Sequence, residues 1–173
     1  MINTQENYFQ LFSLAENFDI ELANLQLKFR ELQAQIHPDN FIGRDQELAS
    51  QALIASSLIN QAYTTLLNPL SRAMYLLQLK GIIIDLVHET NFKPEFLMQQ
   101  IELREEIDSS RAANDIDKLE KIEDQLKQQI QSLIKQISCQ FEKQDYQEVI
   151  PFIKELAFYN KLELLLNDIL NSL

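Results

Sequence analysis

Two amphipathic stretches with matching apolar spacing, separated by one tripeptide, constrain this chain most. Leu22, Leu25, Phe29, Leu32 and Ile36 step by 3, 4, 3, 4 residues, and Leu48, Ala52, Ala55, Ile59, Ala62 and Leu66 step by 4, 3, 4, 3, 4. That is the period of a helix with one buried face, and two such helices close in sequence read as an antiparallel hairpin. His37-Pro38-Asp39 makes the break. Pro38 pushes His37 out of the helical region, and its own ring cannot continue a helix. A His and an Asp are thereby expected at a hairpin tip, where side chains face a partner rather than a core.

Turn residues are scarce. Only 2 Gly and 4 Pro in 173 residues argue for an all-α chain, because sheets and long loops need more of them. The 46% of apolar residues is enough to fill one core or two small ones. A single cysteine excludes a disulfide framework and suits a reducing compartment. No apolar run approaches the ~18–20 residues of a membrane span, and the N-terminus lacks a basic region followed by an apolar one. The expectation is a soluble, cytoplasmic protein with no membrane partner. A net charge of −11 speaks against nucleic acid, since phosphate binding needs clustered cations.

In chain order, the polar residues 1–7 precede a short aromatic-rich helical turn, Asn7 to Phe12, too short to stand alone and expected to pack across the hairpin. Asp19 is the expected N-cap of the helix that runs to Ile36, and Asp45 starts the second helix. Asn68-Pro69 stops that helix and opens another, which ends at Gly81. Residues 1–81 thus read as one unit. Residues 82–91 change character: Ile82-Ile83-Ile84 has strand propensity but no second strand to pair with, so the stretch reads as a packed connector. Residues 92–173 hold three helical segments with short connections, a three-helix bundle. The first opens at Pro94 and ends near Arg111. Asn114-Asp115 starts the second, striped by Leu119, Ile122, Leu126, Ile130, Leu133 and Ile137. The third starts at Asp145, carries Phe152, Leu156, Tyr159, Leu166 and Leu170 near one face, and is expected to kink or split at Pro151.

The helix after Pro94 has a surplus of apolar residues. Phe96, Leu103 and Ile107 fall together as a core stripe, while Leu97, Met98 and Ile101 lie well off it, flanked by Glu102 and Glu105. One face cannot bury both sets. Either the stripe is wide within a small bundle, or an apolar patch with an acidic rim is exposed, as in a protein-binding site.

Catalytic chemistry has little to stand on. His37 and Asp39 could form an acid–base pair, but no Ser or Cys nucleophile lies near them, and the chain has no Gly-rich phosphate loop. Cys139, His37 and His88 are scattered singly, without metal-ligand spacing. Cys139 reads as a small buried side chain and the Lys/Glu-rich stretch 117–127 as a solvated helix face. The expectation is no enzyme, no cofactor, no metal and no small-molecule substrate.

The tripeptide alone is a weak motif; its setting is specific. Helix, His37-Pro38-Asp39 loop and helix, followed by Ile59-Asn60-Gln61-Ala62-Tyr63 and by the run Asn68-Pro69-Leu70-Ser71-Arg72-Ala73, resembles a J-domain. The run from Phe96-Leu97-Met98 through Glu102-Leu103-Arg104-Glu105-Glu106, and Phe158-Tyr159-Asn160-Lys161-Leu162, extend the likeness over nearly the whole chain. Together they are similar to the HscB family, J-domain co-chaperones of iron–sulfur cluster assembly, in its bacterial form. The resemblance implies a protein without catalytic activity of its own. Its J-domain would bind a DnaK-family chaperone, HscA, in the ATP state and stimulate hydrolysis; its C-terminal bundle would bind the scaffold protein IscU and deliver it as client. Carried over by position, His37, Pro38 and Asp39 would stimulate the ATPase, with Lys28 and Arg30 on the preceding helix as further chaperone contacts. Leu97, Met98, Ile101, Glu102, Glu105 and Phe158 would line the scaffold-binding face.

The chain departs from that pattern in places. J-domains usually carry a basic helix before the loop and a Lys after it, whereas here Lys28 and Arg30 stand against Glu21 and Glu31, and Asn40 follows Asp39. Long-range attraction to an acidic chaperone surface should then be weak, leaving more of the affinity to short-range contacts. The paired CxxC motifs of eukaryotic relatives are absent, so no zinc is expected. A lone Cys139 cannot hold a cluster, which usually takes four thiolates, so the client would carry it. Two other readings use the same residues: a helical adapter without ATPase stimulation, and a small metal-dependent hydrolase built on His37 and Asp39.

Overall fold

The computed structural model describes residues 6–36, 46–86 and 92–173, and among them every regular element is a helix. The chain divides into two compact units, Met1–Ile82 and Ile83–Leu173.

The first unit holds α1 (Tyr8–Leu11), α2 (Leu22–Gln35), α3 (Gln46–Leu67) and α4 (Pro69–Leu79). α3 packs against each of the other three. Leu25 of α2 and Ile59, Ala62 and Leu66 of α3 are buried, as are Phe9, Phe12, Phe18 and Leu77, which complete the core. The α2–α3 pairing is fixed by the Phe29 ring stacked on Tyr63, 4.0 Å between centroids, and by Gln33 Nε2 donating to Asn60 Oδ1 at 2.7 Å. α1 spans only 4 residues, yet Asn7 and Gln10 cap it reciprocally, each side chain accepting the other's backbone N–H. Tyr8 then stacks on Tyr75 at 4.3 Å and donates its N–H to the Tyr75 hydroxyl oxygen at 3.0 Å.

Among the described residues of this unit, Arg72 is a buried charge. Its guanidinium donates to the Leu66 carbonyl oxygen and lies 4.9 Å over the Phe18 ring. The Leu66 carbonyl is among the last four of α3, which have no acceptor role within their own helix, so Arg72 closes that end. Burial lowers the Arg72 pKa, and the Asp19 carboxylate acts against that shift. Asp19 therefore serves Arg72. It does not cap α2, which begins at Leu22 behind Glu21 with no side-chain cap. Just past α4, Gly81 adopts φ +78° and closes the helix end: its N–H bonds to the Gln78 carbonyl while that of Ile82 bonds to Leu77.

The second unit holds α5 (Pro94–Ala112), α6 (Ile116–Glu142) and α7 (Tyr146–Ser172), with α6 packed on both of the others. The α6 stripe from Leu119 to Ile137 is buried at each expected position. α7 is one helix through Pro151; it is not split there. Its buried face is wider than its sequence stripe, because Val149, Ile153, Leu162 and Ile169 join Leu156, Tyr159 and Leu166, while Phe152 and Leu170 are only half-buried. Both corners are built alike. Asn114 and Gln144 adopt φ 54° and 58°, and the residue after each, Asp115 or Asp145, returns its N–H to the helix just ended while its side chain caps the next. Ile83 is largely exposed, and no strand forms among the described residues around it.

Candidate functional site

The surplus on α5 stays outside. Phe96 and Ile107 are buried and Leu103 is half-buried, whereas Leu97, Met98 and Ile101 remain 42%, 63% and 56% exposed. Leu97 and Ile101 are one turn apart, as are Met98 and Glu102, and Glu105 follows one turn beyond Ile101. An apolar strip with two exposed carboxylates along it thus runs over the first half of α5.

Phe158 reaches this region from α7. Its ring meets Phe96 edge-on at 5.6 Å and Tyr159 at 5.5 Å, and Phe96 in turn meets Tyr159 at 5.9 Å and Phe92 at 5.2 Å. These aromatic contacts anchor the start of α5 to the middle of α7 while leaving Phe158 half-exposed. The Arg104 guanidinium lies 5.8 Å over the Phe158 ring. Sequence reasoning passed over Arg104, although its place three residues after Ile101 and seven after Leu97 puts it on the same side of the helix. Lys118 Nζ to Glu106 Oε1, 3.3 Å, ties the far part of α5 to α6.

Beside the aromatic cluster, burial raises the pKa of Glu155, with Lys93 acting in the opposite direction. Tyr159 is pushed up as well, by burial first and by the Glu155 charge second. Among the described residues, no three His, Cys, Asp or Glu side chains are grouped to hold an ion. Cys139, expected in the core, is exposed. Two residues beyond buried Ile137, it points to the opposite side of α6. The arrangement offers apolar area, an acidic rim and one ring-stacked cation, the makings of a protein contact.

On α2, Lys28 Nζ pairs with Glu31 Oε2 at 2.9 Å, and Arg30 is exposed two residues on. Part of the small positive charge of this helix is therefore neutralised on the helix itself. His37, Pro38, Asp39, Asn40, Asp45 and His88 lie outside the described residues.

Comparison with known proteins is consistent along the chain. A family model described as the HSCB C-terminal oligomerisation domain matches residues 92–166. The Co-chaperone protein HscB homolog of Neisseria meningitidis serogroup C is 39% identical over 166 residues, covering 96% of this chain and 98% of that protein. The structure of the chaperone HscB from Vibrio cholerae superposes with a TM-score of 0.88 at 33% identity, covering 96% of this chain and 99% of the other. The human co-chaperone protein HscB has a TM-score of 0.88 at 29% identity, over 95% of this chain and 82% of its own. Among the described residues no helix is long and apolar enough to cross a membrane.

Proposed function

The chain belongs to the HscB co-chaperone family, and on that premise we propose that it stimulates the ATPase of an HscA-type, DnaK-family chaperone and delivers the iron–sulfur scaffold protein IscU to it in the cytoplasm. Residues 1–81 act as the J-domain and residues 92–173 as the scaffold-binding bundle. The observation that carries the reading is the exposed strip of Leu97, Met98 and Ile101 beside Glu102, Glu105 and Phe158. A helix that holds three large apolar side chains in water gains from a protein that covers them.

The J-domain does no bond chemistry of its own in this scheme. It binds one state of the chaperone better than the other, and that difference in affinity shifts the chaperone toward the hydrolysing state. Asp39 is suited to a charge-assisted pair with a chaperone arginine, while His37 and Pro38 supply short-range contacts. With Lys28 already held by Glu31, long-range steering contributes little and the loop carries the specificity.

Steady-state ATP hydrolysis by a cognate DnaK-family chaperone, with and without this protein, tests the reading. Stimulation by the wild-type chain is expected, and its loss in His37→Gln with helicity retained. No stimulation by the wild type would leave an adapter instead. Full stimulation by His37→Gln would remove the loop from the mechanism.

A further inference from the structure

From Leu48 to Ser71 the chain has no Asp, Glu, Lys or Arg, although 24% of the whole sequence is charged. Most of α3 falls in that run, and one side of it faces water. Ser50, Leu53, Ile54, Ser57, Gln61 and Thr64 recur at helical spacing within about 100° of one another, and all are exposed. The buried Ile59, Ala62 and Leu66 take the opposite side. Solvated helix faces ordinarily carry charge. The outer faces of α2 and α6 do, with Arg30 and Glu31 on one and Glu120, Lys121 and Asp124 on the other. The α3 face has none over this run, and near one end of it Leu53 and Ile54 stand 73% and 62% in water.

That end is the loop end of the hairpin. Phe29 stacks on Tyr63 and Gln33 bonds to Asn60, so a step toward the end of α2 is a step back toward the start of α3. The same register sets Ile36, the residue bonded to His37, beside Ser57. Leu53 and Ile54 lie one turn, about 5 Å, beyond that level. A partner that grips His37 and Asp39 is thus already at the pair. It meets no charge on this part of α3 and little on α2, where Lys28 is held by Glu31. A charged side chain of the partner set on this face would lose water and find no counter-ion. An apolar one would take two large side chains out of water.

We propose that the loop end of this α3 face is an apolar chaperone contact. Leu53 and Ile54 dock on an uncharged surface of the DnaK-family partner, next to the surface that receives His37, Pro38 and Asp39. The contact rests on the chaperone function proposed above and extends it. Its task differs from that of the loop. The loop selects the chaperone's state, whereas Leu53 and Ile54 contribute affinity and stand in for the long-range attraction that the weakly charged α2 does not supply.

Chaperone ATPase titrated with the full chain tests it. Leu53→Gln/Ile54→Gln should raise the concentration for half-maximal stimulation by roughly tenfold and leave the maximum within about twofold of the wild type. Ser57→Glu and Ser57→Lys should both raise that concentration, because neither sign finds a counter-ion. Leu67→Gln, about 20 Å away at the other end of α3, should leave it unchanged. All these side chains are exposed, so melts of the variants should match the wild type. Failure of the chaperone function itself is visible separately: the wild type would not stimulate, or His37→Gln would stimulate fully, and the contact would fall with it. Where the wild type stimulates and His37→Gln does not, four results would each overturn the contact. They are a wild-type titration by the double variant, with or without a loss of scaffold affinity; a lower half-maximal concentration with either charge at position 57; an equal loss in Leu67→Gln; and an early melt of the double variant, which would assign the pair to the core.

Discussion

Glu155 is a carboxylate whose surroundings oppose its charge. Burial raises its pKa, Lys93 counters only in part, and the neighbouring Tyr159 is pushed up partly by the Glu155 charge itself. A raised folded pKa means that the stability contributed by the proton is fully present below the unfolded carboxylate value and lost as pH rises through the folded one. At neutral pH the ionised side chain therefore costs the fold. Glu155→Gln should melt above the wild type at pH 7, and the gap should close as pH falls through the carboxylate range, about 4–5. The group is half in water, which screens the effect, so the shift in melting temperature should be small but of fixed sign. Circular dichroism melts at pH 7 and pH 4 decide it. Equal melts at pH 7 would mean that Lys93 and water compensate the burial entirely. Sequence gave no notice of this site, because Lys93 and Glu155 are brought together only by the bundle. The spacing places Arg104 on the same side of α5 as Leu97 and Ile101, but its position above the Phe158 ring depends on the bundle.

Elements were legible where their determinants are local. The 3.6-residue stripes located the hairpin and the α6 core, and Asp115 and Asp145 marked the starts of α6 and α7 because a cap acts on residues three positions away. Asp19 misled for lack of a distant fact: its carboxylate answers to Arg72 on another helix. The split that Pro151 allowed does not occur, because the residue lies early in α7, where the lost hydrogen bond is near the end of the ladder and packing on α6 holds the rest. Cys139 was legible and misread, since the stripe through Leu133 and Ile137 already turned it outward. The corner between α6 and α7 yields a prediction of its own. Gln144 holds φ 58° and passes directly to the cap Asp145. A left-handed backbone costs a non-glycine residue roughly 1–2 kcal/mol, and glycine recovers most of it less its own chain entropy. Gln144→Gly should thus stabilise the second unit by about 0.5–1 kcal/mol in urea unfolding, whereas Asn114→Gly should change little, since Asn tolerates that conformation better. Destabilisation by Gln144→Gly would mean that the side chain contributes more at that corner than the backbone loses.

Under the proposed function, stimulation and scaffold binding sit in different units, so one lesion should remove one activity and spare the other. The triple variant Leu97→Ala/Met98→Ala/Ile101→Ala tests this in the whole molecule. The apolar surplus on α5 was countable from sequence, but its exposure was not, because a helix enclosed on two sides would have buried both sets. With 42%, 63% and 56% of these residues in water, their truncation leaves no large cavity, and the melt should stay near that of the wild type. Covering such side chains in an interface contributes roughly 1.5–3 kcal/mol each before ordering costs. Losing most of that should weaken scaffold binding by about tenfold or more, while basal stimulation of the chaperone persists through His37, Pro38 and Asp39. Had the three been core, each truncation would cost about 2–5 kcal/mol and the bundle would melt early. Scaffold titration, chaperone ATPase and thermal unfolding on the one variant therefore separate the cases. Unchanged scaffold affinity with a normal melt would move the binding face off α5, and loss of basal stimulation with a normal melt would show that the two units do not act separately.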